Sequence, residues 1–193
     1  MAISNTKPAA CAALAGAALL LTGCAATAPA STPTSSSHSS STPSAESAKG
    51  IDCNNLQPEV NPAISQLGTS LKLANASSPQ EGTYPAKIGS AGGIFCDWFG
   101  ADGSSVSVAL VHLAPQRLAG EQSAVAASST PSTILGTSPN VSVYVADSGG
   151  TASGDIEAFT DSGYWISVVS PSFTTPDRAT DLLRAVLQAL PSG

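Results

Sequence analysis

The sequence predicts an α+β domain over residues 51–193: a mainly antiparallel sheet of about five strands with three helices, in the order α-β-β-α-β-β-β-α. Three observations predict it. Several segments alternate apolar and polar residues, as half-buried strands do. Gly-rich turns join these segments closely enough to form hairpins, and hairpins build antiparallel sheets. Stretches with helical spacing stand at the start, middle and end, so helices are expected to pack on one face of the sheet.

The elements follow in chain order. Asn61-Pro62 reads as a helix start, with Asn as N-cap and Pro in the first turn. Ile64, Leu67 and Leu71 then recur at helical spacing, with Val60 just ahead of the cap. A loop containing Pro79, Gly82, Pro85, Gly89, Gly92 and Gly93 leads to a strand at Ile94–Phe99. The turn at residues 100–103 joins it to Ser105–Leu113, where Val106, Val108 and Leu110 share a face. Pro115 opens a helix to about Ala127, and a Ser/Thr/Pro loop runs to Asn140. Strands follow at Val141–Val145, Ser153–Thr160 and Tyr164–Ser170, the last two joined by Asp161-Ser162-Gly163. The final helix has Thr175 as cap and Pro176 as its first residue, with Ala179, Leu182, Val186 and Leu190 as its apolar stripe.

Residues 1–23 read as an export signal. Lys7 precedes an apolar run, Ala9 to Leu21, of thirteen residues. As helix that run spans roughly 20 Å, short of the about 30 Å of a bilayer core. It fits the apolar region of a signal peptide better than a retained anchor. Ala26-Thr27-Ala28 could serve as an ordinary cleavage site, but Pro29 would follow the cut. Leu21-Thr22-Gly23-Cys24 instead resembles the bacterial lipobox. The resemblance implies diacylglyceryl transfer to the Cys24 sulfur and cleavage before Cys24. It also implies acylation of the new amine, and two or more acyl chains anchor stably. The expected location is the outer face of the plasma membrane.

Residues 24–50 then form the lipidated Cys24 and a Ser/Thr/Pro tether. This tract contains no large apolar residue and cannot offset its ordering entropy. It is expected to be disordered and dispensable for folding. His38 lies alone among serines, with no second metal ligand nearby.

Export also decides the cysteines. Cys11 leaves with the signal and Cys24 takes lipid, so Cys53 and Cys96 remain. An even pair in an oxidising compartment reads as one disulfide. Cys96 and Trp98 share a strand face, so the bridge and the indole are expected to enter one core.

The net charge is −6, and the signal carries one lysine and no acid, so its loss makes the chain more acidic still. No Lys/Arg cluster occurs, which argues against nucleic acid as a partner. His112 is the only histidine after residue 50, so no zinc ligand set forms and no cofactor motif is found. At a strand end His112 reads as structural. Asp97 is expected to point away from Cys96 and Trp98, as a surface charge. Asp155 and Glu157 lie two apart on one strand face. Paired carboxylates can cleave glycosides, but a solvated strand face is the plainer reading.

The lipobox, the tether, Cys53 after it and Cys96-Asp97-Trp98 together resemble small lipoproteins of mycobacteria and related actinobacteria. Many of these belong to families of unknown function with a Cys…Cys-x-Trp pattern. The resemblance implies an envelope location and carries over no enzymatic residue. Three functions therefore compete. The first is a non-enzymatic binding or accessory lipoprotein, partnered by an envelope protein or ligand. The second is a carrier of an apolar ligand, a lipid or glycolipid, between sheet and helices. The third is a hydrolase working through Asp155 and Glu157.

Overall fold

The computed structural model describes residues 50–67, 70–74, 77–146 and 154–191. The lipobox with Cys24, and the tether up to residue 49, lie outside the described residues.

Within them the chain forms α1 (Cys53–Leu67), β1 (Lys72–Leu73), α2 (Tyr84–Ser90), β2 (Ile94–Phe99) and β3 (Ser105–His112). Next come α3 (Pro115–Ala126), β4 (Ser129–Ser132), β5 (Val141–Ala146), β6 (Gly154–Thr160), β7 (Tyr164–Ser170) and α4 (Thr180–Ala189). The strands build one seven-stranded sheet, ordered β1-β2-β3-β7-β6-β5-β4. Every adjacent pair is antiparallel. This corrects the expected five strands and three helices in the order α-β-β-α-β-β-β-α: the described residues hold seven strands and four α-helices. The elements that sequence reading missed are β1, α2 and β4, each of seven residues or fewer. None is long enough to establish a period.

The expected single helical face is also corrected. One face carries Cys96, Trp98, Val106, Val108, Leu110, Ile156, Ile166 and Val168, all buried against α1 and α4. The other carries Ala109, Val111, Phe159 and Trp165, buried against Ile88 of α2 and Leu118 and Val125 of α3. The sheet is thus the middle of three layers. A strand covered on both faces reads as a continuous apolar run, and Val108-Ala109-Leu110-Val111 is such a run, each residue 0% exposed.

The first helix begins eight residues before its expected cap. Asp52 caps it instead: its Oδ1 accepts from the Asn55 amide at 2.8 Å. Pro58 and Pro62 then lie inside the helix. An interior proline removes a backbone hydrogen bond and costs about 3 kcal/mol. The helix persists because Leu56, Val60, Ala63 and Ile64 bury one continuous stripe against the core. Each large side chain so buried stabilises by about 1.5–3 kcal/mol. At the other end Thr175 makes no side-chain cap bond. Pro176–Ala179 is a turn of 3₁₀ helix that leads into α4.

The turn between β6 and β7 depends on Gly163. Its φ is +98°, and a Cβ there would lie 2.7 Å from His112 Nε2. Conformation and space both exclude a side chain. Gly163→Ala is expected to lower stability by about 1–3 kcal/mol, read as a fall in the urea midpoint at unchanged m-value. A wild-type midpoint would show that the turn relaxes freely. Among the described residues no helix is long and apolar enough to cross a membrane.

Candidate functional site

The site grows out of strand register on the face under α2 and α3. β2, β3, β7 and β6 align Asp97 with Ser107, Ser107 with Val169, and Val169 with Asp155. One row further along, Glu157 lies opposite Ser167. The pleat sends all these side chains to one face. Asp155 and Glu157 on β6, and Asp97 three strands away on β2, therefore share the sheet face under α2 and α3.

Their burial differs, and so does their chemistry. Glu157 is 0% exposed. Its Oε2 accepts from Trp165 Nε1 at 2.5 Å. Burial, then the charge of Asp155 and a hydrogen bond shared with it, push the Glu157 carboxyl well above its ordinary range; bonds from Ser167 and Trp165 oppose this more weakly. As a carboxylate, Glu157 Oε1 would find no donor among the described residues. Burial and the neighbouring Asp155 charge favour the carboxylic acid form of Glu157, which can donate to Asp155. The pair is read as one acid beside one carboxylate.

Asp155 is half-buried, and burial raises its pKa while the bonds to Glu157 and Ser167 lower it. Asp97 is 7% exposed, not the surface charge its sequence suggested. It accepts from Ser107 Oγ at 2.8 Å, and burial raises its pKa against that bond. The expected solvated face at Asp155 and Glu157 is likewise corrected: α2 and α3 cover it.

Aromatic rings frame the carboxyls. Phe159 stacks on Trp165 at 5.6 Å, Tyr144 meets Phe159 edge-on at 6.0 Å, and Tyr84 meets Trp165 at 6.2 Å. Beside them a cleft of about 600 Å³ opens between residues 79–87 and the sheet. Asp155, Ser107 and Phe95 line its sheet side, and Thr83, Tyr84 and Lys87 its helix side. Lys87 is exposed, with Nζ 4.9 Å from the Tyr84 ring centre.

The remaining expected site residues are placed as follows. Cys53 and Cys96 form a disulfide, with Cα atoms 5.4 Å apart. The bridge packs beside buried Trp98 in the core under α1 and α4. His112 stacks edge-on against Tyr164 at 5.0 Å, and its Nε2 lies 3.2 Å from the Ser162 carbonyl. It secures the β6–β7 turn. Cys24 lies outside the described residues. Among the described residues no group of three His, Cys, Asp or Glu is arranged to hold a metal ion.

Tyr84, Lys87 and Ser107 are the cleft residues that sequence reading missed. Ser107 alternates with apolar neighbours and so pointed to the second face, but nothing in the sequence showed what covered it. The chain matches no family model, no curated protein and no solved structure.

Proposed function

We propose that the protein is an exported lipoprotein, held by lipid on Cys24 at the outer face of the plasma membrane, whose domain binds a small ligand without turning it over. The cleft beside Asp155 carries the binding reading. Its volume, about 600 Å³, falls in the range of small-molecule sites, about 300–1,000 Å³. Asp155 and Ser107 on its sheet side favour a polar ligand over the lipid or glycolipid of the carrier reading. Glycoside cleavage would need a second carboxyl in reach of the substrate. Glu157 is fully buried and bonded to Trp165, so the geometry lends the hydrolase reading no support. The Cys…Cys-x-Trp resemblance to actinobacterial lipoproteins agrees with this location.

Two measurements test the proposal. Cys24→Ala is expected to abolish acyl labelling and the mature processed band. Unchanged labelling and membrane retention would refute the anchor. Native mass spectrometry of protein from its own host is expected to show a bound small molecule. Filling the cleft with Ser128→Trp, at an exposed position on its rim, should remove that mass. Bare chain from both proteins would count against the binding reading.

A further inference from the structure

We infer that the cleft recognises a small zwitterion, holding its ammonium group on Asp155 and its anionic group on Lys87. The inference rests on the binding reading above and names the ligand's chemistry. Asp155 and Lys87 line the same cleft. Neither forms an ion pair among the described residues. Among the described residues Lys87 lies over the Tyr84 ring, and Asp155 interacts with Glu157 and Ser167. Two opposite charges thus stand apart in one concavity, and a ligand carrying both signs is their complement.

The carboxyl cluster makes the cation end specific. A half-buried carboxylate with no cationic partner is unfavourable unless something supplies the opposite charge. Glu157 adds a second, fully buried carboxyl two residues from Asp155 on the same strand face. As a neutral donor it leaves the negative charge on Asp155, the one of the pair that reaches the cleft. An ammonium group suits such a site: it is compact, donates three hydrogen bonds and is satisfied by one carboxylate and nearby hydroxyls. Ser107 and Thr83 offer those hydroxyls. The side chains of Phe95 and Tyr84 add apolar walls. The anionic end then meets Lys87 at the exposed rim. Its source is a free amino acid if the anion is a carboxylate, or an ethanolamine headgroup if it is a phosphate.

Two-dimensional NMR of the full chain in detergent, titrated with alanine and separately with phosphoethanolamine, tests this. At least one is expected to give saturable shifts at Tyr84, Ser107 and Asp155, and the tighter one identifies the anion. Ethylamine and acetate, each carrying one charge, should bind about tenfold more weakly or worse. Asp155→Asn should weaken the zwitterion by about tenfold or more, and Lys87→Gln by a smaller factor. Lys87 is exposed, so its variant keeps the test open should Asp155→Asn fail to fold. No saturable shift with either zwitterion, or equal affinity in both variants, would overturn the inference. A host-derived mass that persists while both zwitterions fail would overturn this inference and leave the binding reading standing. No bound mass and no shift would sink both.

Discussion

Replacing Cys53 and Cys96 together with alanine is expected to lower the stability of the domain by about 4 kcal/mol. The two residues are 43 apart in sequence, and a loop of that length gives this figure in the chain-entropy account. The loop contains α1, β1 and α2 and ends in β2. Without the bridge, α1 is joined to the sheet only by packing and by the chain through β1, a strand of two residues. The two prolines inside α1 leave it little intrinsic stability to fall back on. For a domain of this size the loss corresponds to roughly 10–15 °C in melting temperature. Alanine is the better replacement, because serine would add two hydroxyls to apolar surroundings. Thermal melts of the wild type with and without reductant should bracket the same difference. A fall of only about 2 °C or less would show that α1 is held by packing alone, and the bridge would lose its stabilising role.

The parts of this fold legible in the sequence are those with a local signal long enough to show a period. β2 and β7 were read to the residue because Ile94–Phe99 and Tyr164–Ser170 are bounded by Gly- and Pro-containing turns. β4 was not, because Ser129-Thr130-Pro131-Ser132 has the composition of a loop. It is a strand only because β5 pairs with it, at a sheet edge where Pro131 is tolerated. The start of α1 went wrong for a physical reason. Asn61-Pro62 matches a cap, but the stripe Leu56, Val60, Ala63 and Ile64 passes straight through it. Tertiary burial overrode a local signal. The second covered face was partly legible in Val108-Ala109-Leu110-Val111, since a strand half in water does not sustain such a run.

The site divides in the same way. Cys53 and Cys96 could be paired by counting, because the expected export signal and lipidation would take Cys11 and Cys24 and leave no other partner. Asp155 and Glu157 could be placed on one strand face, but their burial could not be seen. It depends on which residues of β7 stand beside them, and on α2, which at seven residues is too short to show a period. Register across the Asp161-Ser162-Gly163 turn puts Ser167 opposite Glu157 and Trp165 two pairs nearer the turn, on the same face. Only then does the acid acquire a hydrogen-bonded partner and a reason to be buried.

That burial has a consequence for stability against pH. The carboxyls of Glu157, Asp155 and Asp97 are all raised in the folded state, in each case first by burial. A carboxyl raised on folding binds more protons in the native state than in the unfolded chain. Its contribution is fully present below the ordinary carboxylate range and is lost as the pH rises through its folded value. These three groups therefore favour the folded domain at mildly acidic pH and oppose it toward neutrality, the reverse of a domain held by paired carboxylates. Glu157→Gln isolates the largest of them. The amide oxygen can still accept from Trp165 Nε1, and the amide nitrogen can still donate to Asp155. The variant thus keeps the hydrogen bonds of the protonated acid and removes its titration. At about pH 4 the two proteins are expected to have nearly equal stability. As the pH rises the variant gains relative to the wild type, by up to about 1.4 kcal/mol for each unit between the ordinary and folded values of Glu157. Urea midpoints measured from about pH 4 to about pH 8 give the difference curve directly. Parallel curves would mean that Glu157 is ionised in the folded state. A variant that weakens with rising pH would mean that its charge is stabilising, and either result would end the assignment of the proton to this residue.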